Sequence, residues 1–380
     1  MKIVFLCGSL EPGCDGVGDY IRRLAGELVR QGHHASAIAL NDRHLKAQFT
    51  GTQHIEGVNF QVLRVPSVWP ERSRFHRAKE WINEIQPEWL SLQYVPFAFH
   101  LKGLPFRLGG LLLNLAKEVR WHIMFHELWV GMDTKSTKKH ILWGMVQRRL
   151  IKSLISKLHP HVVQTQTRLY QAQLAKLGVK AEYLPLFANI PNIRQMNTKS
   201  TTTRSSADKN IISLVLFGTI HPGAPVDELA TEVALYARKK GLQIYLTIIG
   251  RCGTEQEHWT AVWQSAGLVV EVLGEQQPER ISNVLGNASI GLSTTPIALV
   301  EKSGAAAAML EHGLPVLCVR DPWEARGLKS LNPHPAIFEY RNGHLEEYLA
   351  YKRQDFSLGS TVSEVSRQLE NTLMKTIRAT

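Results

Sequence analysis

The sequence predicts an α/β protein of two Rossmann-like domains, each a doubly wound parallel sheet, and three observations carry that prediction. Apolar runs of strand length alternate with segments of helical period from Lys2 to Val319. The alternation is interrupted once, at residues 197–210, where NTKSTTTRSSADKN offers no apolar group except Ala207 and the threonine methyls. Such a segment has nothing to bury and reads as a linker. A length of 380 residues, with 44% hydrophobic and 20% charged, suits about two globular domains and excludes a disordered, collagen-like or coiled-coil chain. The expected division is a first domain over 1–196, the linker 197–210, a second domain over 211–360, and a terminal helix over 361–380 that crosses back.

The first forty residues read strand, glycine loop, helix, strand. Ile3 to Cys7 is continuously apolar, as a strand covered on both faces requires. Gly8 to Gly18 contains four glycines and a proline, which is loop chemistry. Tyr20, Leu24 and Leu28, with Ile21, Ala25 and Val29, recur at helical spacing, and Gly32 ends the helix before the strand Ala35–Leu40. Strands follow near Phe60–Val65, Leu90–Tyr94, His122–Phe125 and Val162–Gln164, with helices near Arg74–Ile85, Leu108–Val119, His140–Leu158 and Arg168–Leu177.

Beyond the linker come strand Ile211–Phe217, helix Val226–Lys240, strand Gln243–Ile249, helix Glu257–Ala266 and strand Val269–Val272. Helix Pro278–Leu285, strand Ser289–Leu292, helix Gly304–His312 and strand Pro315–Val319 complete the second domain. A last helical pattern runs through Val362, Val365, Leu369, Leu373 and Ile377. Two halves of this kind leave a cleft between them, where ligands of α/β proteins bind.

Composition narrows the function. Residues 1–195 hold 26 Lys and Arg against 14 Asp and Glu, a net of +12, whereas residues 196–380 hold 18 against 19, a net of −1. The positive charge therefore describes one domain, suited to an anionic lipid or a phosphorylated substrate. Nucleic acid is not expected, because no helix-turn-helix, zinc-finger or aromatic RNA-binding pattern occurs. Four scattered cysteines form no disulfide framework and no zinc ribbon, so a reducing, cytoplasmic setting is expected. The apolar run Ile3–Cys7 is too short for a signal peptide, and no run reaches the length of a membrane span.

Three motifs carry candidate chemistry. Gly13-Cys14-Asp15-Gly16-Val17-Gly18-Asp19 joins the first strand to the first helix, where close backbone approach and helix amides favour an anion. It lacks the third glycine of a dinucleotide fingerprint and the Gly-Lys-Ser/Thr of a Walker loop, so a plain strand-to-helix turn remains open, and a nicotinamide oxidoreductase is disfavoured. Phe125-His126-Glu127 closes a mid-domain strand, where His126 either binds a hydroxyl or works as acid and base, or simply caps a loop. Glu301-Lys302-Ser303-Gly304-Ala305 opens a helix of small residues that ends at Gly313-Leu314-Pro315. Its amides and Lys302 suit a diphosphate, and Glu301 suits sugar hydroxyls; an alanine-rich packing helix would explain Ala305–Ala308 but not this opening. His159-Pro160-His161 has no third ligand nearby and reads as structural, and no metal cluster is visible.

In this order, over nearly the whole chain, these motifs resemble the retaining GT-B glycosyltransferases of family 4, which includes relatives of glycogen and sucrose-phosphate synthases. The resemblance implies a nucleotide-sugar donor, UDP- or GDP-linked, held mainly by the second domain, and an acceptor, glycan, lipid-linked or small, on the first. It implies Gly16 beside the diphosphate, His126 and Glu301 at the transferred sugar, and Gly218, Thr219, His221, Arg251, Lys302, Ser303 and Gly304 around the donor, with no metal required. Tyr183-Leu184-Pro185 to Asn189-Ile190-Pro191 is similar to the family's exit from its first domain, and Val272-Leu273-Gly274 to its base-side segment. The chain departs from the pattern at the second Glu, which falls on Met309 or Ala308, and at the phosphate-binding Arg and Lys, which fall on Thr219 and Ala224. An epimerase or hydrolase of the same fold, or a catalytically silent binding protein, are the alternatives.

One more segment accounts for charge. Residues 141–158 place Leu142, Met145, Val146, Leu150, Leu154 and Leu158 on one face and Arg148, Arg149, Lys152 and Lys157 on another, after Lys135, Lys138 and Lys139. Such a helix either packs its apolar stripe on the sheet or lies, over 135–158, on an anionic membrane at the inner surface. Because residues 197–210 can bury nothing, limited proteolysis should cut there first and release two compact fragments. First cuts elsewhere, with this segment resistant, would place the domain boundary in another stretch.

Overall fold

The structure, a computed structural model, describes residues 1–116, 118–193, 210–328, 334–351, 354 and 357–379; the linker 197–210 lies outside them except for Asn210. The chain forms two units: Met1–Pro185 with Glu324–Lys329 and Val362–Thr380, and Leu186–Trp323 with Ser330–Thr361. The passage from one to the other falls at Pro185–Leu186 rather than at residue 196.

The first unit is built on an eight-stranded sheet in the order β3-β4-β2-β1-β5-β6-β7-β8. The strands are β1 (Lys2–Cys7), β2 (His34–Asp42), β3 (Phe49–Ile55), β4 (Val58–Pro66), β5 (Trp89–Tyr94), β6 (Arg120–Phe125), β7 (Val162–Thr165) and β8 (Glu182–Tyr183). All neighbours run parallel except β3 and β4, a hairpin turned at Glu56 and Gly57, both with positive φ. Strand β3 escapes a sequence reading because Phe49–Ile55 is half polar and mostly open to solvent, so no apolar run announces it.

Helix α1 spans Gly16–Arg30 rather than starting near Tyr20. The Asp15 carboxylate accepts from the amides of Val17 (2.9 Å) and Gly18 (2.8 Å), so it caps a helix whose first turn is the expected loop sequence Gly16-Val17-Gly18. Helices α2 (Glu71–Ile85), α3 (Pro96–Phe99), α4 (Leu108–Leu113), α5 (Lys138–Leu158) and α6 (Arg168–Ala175) follow. The pattern expected to stay helical to Val119 stops at Leu113: Asn114 Nδ2 donates to Gly110 O and the Leu115 amide to Leu112 O, a turn that releases the chain into β6. The terminal helix Val362–Ala379 belongs to this unit, with Val365, Leu369 and Leu373 fully buried and Gln31 Nε2 donating to Ser366 Oγ at 2.7 Å.

The second unit is a six-stranded, all-parallel sheet in the order β11-β10-β9-β12-β13-β14. Its strands are β9 (Ile211–Phe217), β10 (Gln243–Ile249), β11 (Val269–Gly274), β12 (Ile290–Ser293), β13 (Val316–Cys318) and β14 (Ile337–Glu339). Helices Val226–Lys240 and Glu255–Ser265 cover one face through Leu229, Val233, Trp259 and Trp263. Helices Pro278–Asn287 and Gly304–Glu311 cover the other through Ile281, Leu285, Met309 and Leu310. Both units are therefore Rossmann-like sheets with helices on both faces.

A buried ion pair fixes the loop after β1. Asp42, fully buried at the end of β2, accepts from Arg64 Nε at 2.7 Å, His44 N at 3.0 Å, and Ser9 Oγ and Leu10 N at 3.3 Å. Arg64 also pairs with Glu11, so both residues tie the loop to the sheet. Burial alone would raise the Asp42 pKa, but the hydrogen bonds and charge of Arg64 hold it below the usual carboxylate range. A carboxyl depressed in the folded state contributes stability that is fully present above its unfolded pKa, about 3.9, and is lost as pH falls below it. Asp42→Ala leaves Arg64 with only Glu11 and should cost about 3–5 kcal/mol in urea unfolding near neutral pH, a difference that shrinks in acid. A variant as stable as wild type at neutral pH would show that the pair is dispensable.

Candidate functional site

In an open α/β sheet the first strand lies inside and the chain winds away from it in both directions, so loops part at the C-terminal strand ends. In the second unit that point lies between β9 and β12. Gly218 leaves β9 with φ +83°, and a Cβ built on it would stand 3.5 Å from the Cβ of Ala305, at the start of helix Gly304–Glu311. The Gly218 amide donates to Ile249 O, and a Cβ on Gly250 (φ +98°) would stand 3.3 Å from the Gly218 nitrogen, so the turns after β9 and β10 lie back to back. The structure thus brings Gly218, Thr219, His221, Lys302, Ser303 and Gly304 to one rim.

The polar groups of that rim are ordered from within. Buried Thr294, just past β12, accepts from the His221 amide at 2.8 Å and donates to Thr219 O at 3.3 Å. Ser303 caps its helix by accepting from the Ala306 amide. Glu301 and Lys302 end the 3-10 helix Ile297–Lys302, which replaces the plain loop expected there. Arg251 sits on an exposed position after β10, paired with Glu275 at 2.8 Å.

Sequence reasoning missed Arg320. It lies two residues beyond β13, its Nη1 donates to His221 O (3.2 Å) and Pro222 O, and its guanidinium stands 3.7–3.9 Å from a Cβ built on Gly223. Partial burial, then the charges of Arg320 and Lys302, lower the His221 pKa, so two cations and an imidazole share one neighbourhood. The signal available in sequence was a cation just past a strand's C-terminal end, the position that already singled out Gly218.

The two positions on which the resemblance places a second Glu point elsewhere. Met309 is fully buried, and its Sδ would stand 2.3 Å from a Cβ on Gly291, so it fills the space that the β12 glycine leaves open. Ala308 is buried too, and the neighbouring Glu311 carboxylate accepts from the Ala188 amide.

In the first unit the corresponding point lies between β1 and β5. The loop there is tight: a Cβ on Gly8 would meet the Ala98 Cβ at 2.7 Å, and one on Gly18 would meet Ser9 O at 2.7 Å. Gly16 is exposed with open space around it, yet Asp15 occupies the next two helix amides and Asp19 accepts from the Gly13 amide. An anion at Gly16 would therefore meet two carboxylates, which argues against a phosphate at this loop. Burial, with Asp19 and Asp42 nearby, raises the Asp15 pKa against the pull of the Gly18 and Val17 amides.

His126 follows β6 and is almost fully buried, edge-on to Tyr20 at 5.0 Å. Its Nε2 lies 2.8 Å from Gln93 Oε1 and its Nδ1 lies 2.9 Å from Gln166 Oε1. Gln93 Nε2 donates to Ser91 Oγ, which meets His122 Nδ1 at 2.7 Å, so side chains of β5, β6 and the residue after β7 form one buried polar chain. Burial lowers the His126 pKa to about 4 and the His122 pKa to about 3. A neutral His126 ring donates through one nitrogen and accepts at the other, so the two glutamine amides must serve it in opposite roles. His159 and His161 are structural: one is the left-handed cap of α5, the other accepts from the Trp121 amide. Among the described residues no group of three or more metal-ligating side chains occurs.

No protein-family model matches the sequence, and no curated protein matches it. Solved structures match over essentially the whole chain. Sucrose-phosphate synthase from Thermosynechococcus elongatus superposes with a TM-score of 0.64 at 13% identity, covering 100% of each chain. HepE from Anabaena, solved with UDP and glucose, gives 0.59 at 14% identity, over 99% of this chain and 100% of that one. The UDP-GlcNAc 2-epimerase of Neisseria meningitidis, bound to UDP-GlcNAc, gives 0.56 at 11% identity, over 99% and 100%. The fold is that of these GT-B proteins.

Two buried neutral histidines have a measurable consequence. A His pKa depressed in the folded state contributes stability present above its unfolded pKa, about 6.5, and lost as pH falls below it. Acidification from about pH 6.5 towards pH 4 should therefore destabilise the protein, and His122→Gln should flatten that limb. Imidazole nitrogen shifts of His126 should stay neutral between about pH 6 and pH 8; titration within that range would show that the ring is hydrated.

Proposed function

We propose that the protein is a glycosyltransferase of the retaining family 4 type, moving a sugar from a UDP- or GDP-linked donor to an acceptor alcohol. The observation that carries this reading is the rim of the second unit, where Gly218 meets the start of helix Gly304–Glu311 and Lys302, Arg320 and His221 gather. A diphosphate fits a helix start, a glycine turn and two cations. Arg320 supplies the charge for which Thr219 and Ala224 leave no substitute. The structural neighbours solved with UDP, or with a UDP-sugar, lend support through their shared fold.

In the reaction, the acceptor oxygen bonds to the anomeric carbon as the bond from that carbon to the phosphate oxygen breaks. The acceptor proton passes to the departing phosphate on the same face, so no separate protein base is needed. The protein's task is to stabilise charge growing on the diphosphate, which falls to Lys302, Arg320 and the amides of Ser303–Ala305. Glu301 is assigned the sugar hydroxyls, and His126, through its two glutamine partners, a positioning part at the transferred sugar. A lipid-linked, glycan or small acceptor is read by the first unit.

A second reading, nucleotide-sugar epimerase or hydrolase, is favoured by the likeness to the epimerase of Neisseria meningitidis. A third, a binding protein without turnover, is favoured by Met309 and Ala308 lying in the core. A thermal-shift panel of nucleoside diphosphates and their sugars, followed by product analysis with and without acceptors, separates the three. Loss of donor only when acceptor is present supports transfer; loss without acceptor supports the second reading; binding without loss supports the third.

The site assignment has its own contrast. Lys302→Ala and Arg320→Ala should each weaken the bare nucleoside diphosphate by roughly 1.5–3 kcal/mol, about ten- to a hundredfold. Glu301→Ala should leave that affinity nearly unchanged while slowing transfer, since a bare diphosphate carries no sugar. Wild-type binding and turnover in all three variants would remove the rim from the site.

A further inference from the structure

We infer that the outward side of α5, together with the loop 100–107 fastened along it, is a docking surface for an anionic lipid bilayer. The first support is a correction to the helix face expected from sequence. The seam that α5 buries is Gly144, Gln147, Ile151, Leu154 and Leu158. Gly144 is required there, because a Cβ would meet Val130 O at 2.1 Å. Leu142 and Met145, expected on the packed stripe, instead stand outward at 63% and 41% exposure. At 100° per residue, Lys138, Leu142, Met145, Arg149 and Lys152 share the side opposite the buried seam.

The neighbouring loop lies along the flank of the helix, between its buried seam and its outward side. Trp143 Nε1 donates to Lys102 O and Gln147 Nε2 to Gly103 O, both at 3.0 Å, so the loop is held along the helix. A Cβ on Gly103 (φ +61°) would meet Gln147 Nε2 at 2.7 Å, which makes glycine necessary at this contact. The loop then presents Leu101 at 81% and Phe106 at 61% exposure, beside Lys102. Large apolar side chains this open, on a helix and on the loop fastened to it, with cations close by in sequence, are uncommon on a surface that meets only water.

Charge selects the occupant. From Thr134 to Ala181 the sequence holds 10 Lys and Arg and no Asp or Glu, and from Trp89 to Lys117 it again holds no acid. Among the described residues Lys138, Lys139, Arg149 and Lys152 take part in no ion pair, whereas Arg107 pairs with Glu71 at 3.7 Å. Their charge is thus available to an external anion. A bilayer with acidic headgroups satisfies both halves of the surface: phosphates take the ammonium and guanidinium groups, and the acyl boundary takes Leu101, Phe106, Leu142 and Met145. An acidic protein satisfies only the first half. No helix of the described residues is long and apolar enough to cross a membrane, so the contact is peripheral.

The test uses the full-length protein and sedimentation with vesicles of phosphatidylcholine alone or mixed with phosphatidylglycerol. Wild type should sediment with the mixed vesicles only, weakened but not abolished by salt, since screening acts on charge and not on apolar burial. Neutralising Lys138, Arg149 and Lys152 together with glutamine should weaken binding by about a hundredfold, on the usual contribution per basic residue near such a surface. Leu101→Ser, Phe106→Ser and Leu142→Ser together should remove the salt-resistant part while thermal unfolding stays that of wild type. Equal recovery on neutral and anionic vesicles overturns the proposal, as does wild-type binding by either variant. So does binding that poly-glutamate abolishes and the serine variant leaves unchanged, which would assign the face to an acidic protein. None of these residues lies at the second unit's rim, so failure here leaves the proposed transfer reaction untouched.

Discussion

The structure depends on one constraint repeated twice: a first strand covered on both faces, from which the chain must wind away in opposite directions. Strand β1 after Lys2 and β9, broken only by Ser213, are apolar runs with neighbours on either side. A parallel strand of that kind needs a helical crossover on each face, and right-handed crossovers leave diverging loops at its C-terminal end. Each glycine turn singled out by sequence sits at such a divergence. The ends of these two strands are where backbone can approach a ligand: Gly218, Thr219 and His221 follow β9 directly, and Glu301–Gly304 lead into the helix that follows β12.

The two units fill this common opening differently. In the first, carboxylates occupy the loop: Asp15 caps α1, Asp19 holds Gly13, and Asp42 with Arg64 and Glu11 anchors Ser9 and Leu10. Helix amides that could meet a phosphate are already satisfied by the chain itself. In the second, cations converge on the opening, and the helix start is capped only by a neutral serine. The asymmetry follows from the side chains alone, since the two sheets share a winding pattern. It leaves carboxylates at the first opening and cations at the second.

The first unit also spends polar groups on its interior. Ser91, Gln93, His122, His126 and Gln166 make a buried chain across β5, β6 and the end of β7. Such a chain orients each member at the cost of desolvating all of them, so it fixes geometry more than it adds stability. Its effect on His126 is to hold a neutral ring between two amides. Its outer surface, by contrast, carries the basic excess that composition reveals, concentrated along an acid-free stretch of sequence.

The sequence by itself determined what depends on local pattern. Apolar runs of strand length and period-3.6 apolar spacing placed β9, the helix Val226–Lys240 and β10 on their observed residues, because each buries surface whose pattern is visible in one dimension. It also singled out Lys302 and Ser303, since a helix start has a recognisable opening, whereas Gly218 entered through the family resemblance. What it could not decide is which atoms meet. Asp15 turned expected loop into helix because a carboxylate reached two amides, and Asn114 ended α4 early through a side-chain bond. The stripe of α5 rotated because Gly144 and Gln147, small and polar, fit against Val130 and Gly103 better than Leu142 and Met145 do. Arg320 joined the rim from a strand about a hundred residues after His221, a proximity that only the order of strands in the sheet creates. Spacing along a chain records which face a residue takes, whereas contacts between distant segments are set by the packing of whole elements.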